Sequence, residues 1–147
     1  MIVTDCQQRM QDWLCTRLER SCSPNMRCIG NMSNGKLIGV IGLDDWDSAS
    51  VQMHAVGYGN WITRDFLWAV SDYIFNVARV NVVYGLIPSD NARSLKIARH
   101  FGFVSVYNIK DGHANGDLIL HLLYRDGCKY LNRMVRYGQE SQDTCSA

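Results

Sequence analysis

His54 is the side chain in this sequence best suited to moving a proton. It sits in an apolar run over residues 50–56, and its imidazole titrates near neutral pH, where it can take a proton from an ammonium group. The alternative is a histidine satisfied by hydrogen bonds on a strand face. Asp44, Asp45 and Asp47 precede it and could orient His54 or attract a cationic amine; the plainer reading is solvated acids in a polar turn. Directly after the run comes Gly57-Tyr58-Gly59-Asn60, a break that opens onto a helical segment. Main-chain N–H groups of Gly59, Asn60, Trp61, Ile62 and Thr63 at that helix N-terminus can donate to a phosphate, aided by the helix dipole. Thr63 adds a hydroxyl and Arg64 a charge that neutralises a phosphate. On their own, Gly57 and Gly59 read equally as a plain strand-to-helix turn.

These groups need elements to hold them. Thr4-Asp5-Cys6-Gln7 has capping-box spacing, with Thr4 as N-cap. Cys6, Met10, Trp13, Leu14 and Leu18 then recur at helical spacing up to residues 21–24. Strands are expected over 26–32, 36–43 and 50–56, the first two joined by the tight hairpin signal Ser33-Asn34-Gly35. A helix follows over 63–77 with Phe66, Leu67, Val70, Tyr73, Ile74 and Val77 inward, and a β-branched strand over 80–87. Asn91 opens a short helix with Leu95, Ala98 and Phe101 inward, which Gly102 ends. Strands over 103–109 and 117–124 are joined through Asp111-Gly112-His113-Ala114-Asn115-Gly116. A terminal helix is expected over 126–137, and a polar tail over 138–147. Antiparallel strands followed by a βα crossover predict an α+β domain with a mixed sheet, a single domain over 1–137.

Composition narrows the function classes. A chain of 147 residues with net charge +1 carries no basic field that demands nucleic acid. No apolar run approaches a membrane span, and the N-terminus lacks the order of a signal peptide, so a cytoplasmic protein without membrane contact is expected. Cys6, Cys15, Cys22, Cys28, Cys128 and Cys145 fit no metal-ligand spacing and read as reduced thiols, mostly small buried hydrophobes. The four histidines also lack ligand spacing, so no metal is expected.

The element order, together with Asn91-Ala92-Arg93-Ser94 running to Phe101-Gly102-Phe103, resembles the GNAT superfamily of acyl-CoA-dependent N-acyltransferases over most of the chain. The sequence is similar to small phage-encoded members. Asp117 after its glycine turn resembles the branch that acetylates ribosomal-protein N-termini. The resemblance implies a GNAT fold, with a mostly antiparallel sheet of six to seven strands that splays at the cofactor site between flanking helices. It also implies acetyl-CoA as acyl donor and a primary amine, on a protein or a small molecule, as acceptor. The pantetheine arm would pair with the strand edge through Ala55 and Val56. The pyrophosphate would lie on Gly57, Gly59, Asn60, Trp61, Ile62, Thr63 and Arg64, with Asn91 and Ser94 beside it.

The family loop usually reads Gln/Arg-x-x-Gly-x-Gly/Ala, where this chain has Tyr58, Trp61 and Thr63. Turned inward, Trp61 would block a cofactor; turned aside, it would permit one. The tyrosine found seven residues after the Asn in many members is Ala98 here. Ser94, Tyr107 and Tyr124 are therefore the candidates to protonate the departing thiolate, with His54 as base. Asp117, and more weakly His113, would meet the acceptor amine. Two further readings share the fold: a non-catalytic binding protein for a host or phage partner, and a nucleobase-modifying enzyme. The basic stripe of Arg125, Lys129, Arg133 and Arg136 alone supports the second, and it reads also as a solvated face or a dimer contact. A monomer or a homodimer is expected.

Overall fold

The computed structural model describes residues 1–131. The strands are β1 (Ile2–Val3), β2 (Arg27–Ser33), β3 (Lys36–Asp44), β4 (Ser50–Gly57), β5 (Val82–Pro88), β6 (Val104–His113) and β7 (Gly116–Tyr124). They form one sheet in the order β1-β2-β3-β4-β5-β7-β6. Only β4 and β5 pair in parallel, as a βα crossover requires. Helix α1 (Gln7–Leu18) covers one face; α2 (Arg64–Asp72), continued by a π-helical turn over Tyr73–Val77, and α3 (Ala92–Phe101) cover the other. The two faces carry separate cores. Met10, Leu14, Met26, Cys28 and Val40 pack under α1, and the larger cluster of Ile41, Leu43, Val51, Phe66, Val70, Ile74 and Phe101 lies opposite. This is the mixed-sheet α+β architecture that the strand pattern predicts.

Local chemistry explains the boundaries and corrects several of them. Helix α1 takes Cys6 as its N-cap instead of Thr4. Gln7 is diverted: its amide donates to the carbonyls of Thr4 and Cys28 at 2.6 and 2.8 Å, and its oxygen accepts from the Cys28 N–H at 2.8 Å. A capping box is thereby exchanged for a tie between helix and sheet. Helix α2 starts on Thr63, whose hydroxyl accepts from the Phe66 N–H at 3.1 Å. Val77, expected inward, is exposed where the π turn rotates the last residues off the core face. Strand β6 runs further than the hydropathy pattern indicates, leaving only Ala114 and Asn115 in the hairpin.

Two further expectations fail. Cys15 and Cys22 form a disulfide, with Cα atoms 5.8 Å apart, where reduced thiols were expected. Spacing gave no hint, because the chain reverses at Glu19 in the left-handed conformation and brings the two together. In place of the helix expected from residue 126, Arg125–Gly127 is a single 3-10 turn. Residues 132–137 of that expected helix, Arg133 and Arg136 among them, and the tail lie outside the described residues. Among the described residues, no helix is long and apolar enough to cross a membrane.

Candidate active site

Strands β4 and β5 pair only where Ser50, Val51 and Gln52 meet Val82, Val83 and Tyr84. Beyond that, β4 continues to Gly57 and β5 to Pro88 without bonding to each other. The sheet splits there, and two lengths of main chain face one another across the gap. Gaps of this kind suit an amide-rich extended ligand that can bond to a strand edge. A cavity of ≈ 410 Å³ lies at the split and is lined by residues from both faces of the sheet. Its walls include Leu18, His54 and Val56 on one side and Gly57, Trp61, Arg93, Ser94, Ile97, Phe101 and His121 on the other.

At the far end of β4 the chain enters α2 through residues 58–63. The Tyr58 N–H is taken by the Ile38 carbonyl at 2.8 Å, which ties the loop to β3. No N–H from residues 59–65 has a protein partner among the described residues. These donors gather at a capped helix N-terminus, where the dipole favours an anion. Arg93 reaches across from α3 and donates to the Gly59 carbonyl at 2.9 Å, placing a guanidinium beside the loop. Asn91 caps α3, its side-chain oxygen accepting from the Ser94 N–H at 3.1 Å.

Trp61 turns inward, though not into the cavity's centre. Its indole lies beneath the sheet against Gly39 and Gly57, cross-strand partners on β3 and β4. A Cβ at either glycine would fall inside the ring. Phe66 packs edge-on at 5.5 Å between centroids, and the buried Asn31 amide holds the Trp61 carbonyl at 2.7 Å. The indole thus becomes part of the core and forms one end of the cavity wall. Its Nε1–H is buried without a partner among the described residues.

His54 lies on the α1 face of β4, opposite Gly42. Arg20, just past the end of α1, sets one guanidinium nitrogen 3.5 Å from Nδ1 and 3.3 Å from Nε2. Burial, and then the Arg20 charge, lower the His54 pKa below its ordinary value, while Asp44 and Asp45 pull it back up. The imidazole is accordingly held towards its neutral, proton-accepting form.

The other candidates divide. Ser94 and Ala98 line the cavity; Tyr107 and Tyr124 do not, being 67% and 51% exposed on β6 and at the end of β7. Strand β6 is the sheet edge and exposed along its length, and Tyr124 is the last residue of β7, so neither tyrosine stands at the cavity wall. The Asp117 carboxylate accepts from the Asn108 amide at 2.9 Å and from the Asp111 N–H at 3.0 Å, bracing the β6–β7 hairpin. It does not line the cavity. His113 is exposed at the same hairpin. Thr63 is committed to its cap, and Arg64 is exposed on the first turn of α2.

The sequence reading missed Leu18, Arg20, Arg93 and His121. His121 is buried against the cavity, its Nδ1 3.1 Å from the Ile119 carbonyl. Arg93 alone was reachable in advance, through its place in the Asn91 segment.

No protein-family model matches the chain, and no curated protein matches it in sequence. Solved structures do match it in fold. A chimera of the spermidine N-acetyltransferase SpeG from Vibrio cholerae with hSSAT superposes with a TM-score of 0.69 at 16% identity, covering 90% of this chain and 99% of that one. The YncA structure of Salmonella typhimurium with its cofactor acetyl-CoA gives 0.67 at 16%, over 88% and 95%. The Vibrio cholerae spermidine N-acetyltransferase in complex with CoA and spermine gives 0.63 at 15%, over 82% and 75%. The chain has the GNAT fold, an α+β architecture with a splayed mixed sheet.

Proposed function

We propose that this protein is an N-acyltransferase that moves an acyl group, most simply acetyl from acetyl-CoA, to a primary amine. One observation carries the reading: the β4–β5 split leads continuously from free strand edges to the unpaired N–H groups of residues 59–65. Those features fit the two halves of acyl-CoA, an amide-rich arm and a pyrophosphate. Residues 53–57 would pair with the arm, the loop amides with Arg93 would take the phosphates, and the Trp61 indole N–H would meet an acceptor atom between them. Structural neighbours solved with acetyl-CoA or with CoA and spermine support both a CoA donor and an amine acceptor.

The amine would approach from the α1 face, where His54 is reached through the split. The neutral imidazole takes the ammonium proton, and the freed amine attacks the thioester carbonyl. Positioning in the cavity supplies the larger part of the acceleration. As the tetrahedral adduct collapses, the leaving thiolate needs a proton. Of the candidate donors, only Ser94 lines the cavity. With His121 Nδ1 directed at a carbonyl, that ring donates at Nδ1 and is not assigned the role.

Calorimetric titration with acetyl-CoA, followed by a thiol-release assay across a panel of primary amines, tests the reading. Binding and release are expected, and His54→Ala should keep acetyl-CoA affinity while turnover falls about 10²–10⁴-fold. No heat at saturating acetyl-CoA would sink it.

A further inference from the structure

His54 is bracketed by charges of opposite sign that the sheet register and the disulfide fix in place. Cross-strand partners share a face of the sheet, so Asp44 on β3, Gln52 on β4 and Tyr84 on β5 form one row on the α1 face. His54 and Gly42 are the next pair along on that same face. Asp44 is 2% exposed, and its Oδ1 has no hydrogen-bond partner among the described residues. An ionised carboxylate buried this way is costly unless a cation offsets it.

On the other side is Arg20, exposed and in contact with both imidazole nitrogens. Its backbone is not free to drift. The Cys15–Cys22 bond closes the loop around it, and the Arg20 N–H donates to the Cys15 carbonyl at 3.1 Å. A base with a guanidinium against it sheds its proton readily and regains one reluctantly. A base near a buried, uncompensated carboxylate does the reverse. Catalysis by proton abstraction needs both abilities in one cycle.

We propose that Arg20 and Asp44 are positioning residues for His54, two opposed fixed charges that together set the pH range in which it accepts and releases the acceptor's proton. The electrostatic directions agree, Arg20 lowering the proton affinity of His54 and Asp44 raising it. Beside these, Asp45 at the rim adds to Asp44, and two groups stay neutral through the working range. Tyr84 is held above its usual value by burial, Asp45 and Asp44, and Cys28 on β2 is pushed up to about 12, chiefly by burial. The catalytic half of the proposal rests on His54 being the base, as read above; the charge coupling does not.

The test is an NMR titration of the His54 ring protons in the wild type, in Arg20→Gln and in Asp44→Asn, beside the acid limb of the turnover profile. Arg20→Gln should move the titration midpoint up, Asp44→Asn should move it down, and the acid limb should follow each. A midpoint that ignores either substitution, or moves the same way in both, overturns the proposal. Should Asp44→Asn fail to fold, Arg20→Glu on the exposed side must raise the midpoint beyond Arg20→Gln, and failure to do so overturns it equally. Midpoints that move while the acid limb stays still would uphold the coupling and remove His54 as the base.

Discussion

On the α2 and α3 side, the cavity is walled by Trp61, Ile97, Ala98, Phe101 and Phe103; on the α1 side, by Leu18, His54 and Val56 with Arg20 behind them. The first wall is shape. Aromatic rings lock edge to face, Trp61 on Phe66 and Phe101 on Phe103, and glycines on the neighbouring strands are hollowed to receive the indole. The second wall is charge. It carries an imidazole in contact with a guanidinium and on the same sheet face as a buried carboxylate, and a disulfide outside the sheet closes the loop that bears the guanidinium. Under the proposed function, packing builds the side where a long, unreactive arm would lie, and electrostatics the side where a proton would move.

Breaking the shaped wall should cost the most. Trp61→Ala removes an indole buried over two glycines, and the strands cannot collapse to fill it. A loss of about 3–5 kcal/mol is expected in denaturant unfolding. The complementary change, Gly57→Ala, drives a methyl into the same ring and should cost about 1–3 kcal/mol by overpacking. If Gly57→Ala is silent, the indole is not seated on that glycine.

The charged wall is tethered more lightly. Cys22→Ser opens a loop with a sequence separation of 7, for which chain entropy gives roughly 2–3 kcal/mol. Unfolding with and without dithiothreitol should reproduce that loss in the wild type and show none in the variant. Identical midpoints for the oxidised and reduced wild type would contradict the staple.

The smallest effect sharpens the contrast through pH. In the folded chain His54 binds its proton less readily than in the unfolded chain, whose value is near 6.5. Acidification below 6.5 therefore favours the unfolded state, and stability should decline until the folded imidazole also protonates. Cys28 works in the opposite sense. Its folded pKa is raised from 9.0 to about 12, so its contribution is whole below pH 9.0 and erodes between those values. Chemical denaturation across pH 5–7 in the wild type and His54→Gln checks the first, since the variant should lose the acid-side slope. A slope unchanged by the substitution would assign it to other groups.

Alternation of apolar residues in the strands, glycine breaks and the Asn91 cap were sufficient to predict an α+β domain and the helix that begins at the loop, while the splayed strand pair came from the family resemblance. These are local signals, since period and capping depend on neighbours a few residues away. His54 and the loop amides were singled out for the same reason, and Ser94 through the family resemblance; all of them stand at or beside the cavity. What required the fold were the relations between distant residues. Tyr107 and Tyr124 have the right chemistry, yet both are exposed and neither lines the cavity. Asp44 reads as a turn acid, yet the register buries it in the row beside His54. Trp61 looked like an obstruction in the loop, and only the facing glycines of β3 and β4 show where an indole can go. Cys15 and Cys22 looked like separate thiols until a left-handed turn joined them and carried Arg20 onto His54. The sequence alone determined which groups exist and which elements carry them. Which groups share a face, and which charges meet, was decided by tertiary structure, because burial and Coulombic coupling depend on distances through space that chain order does not encode.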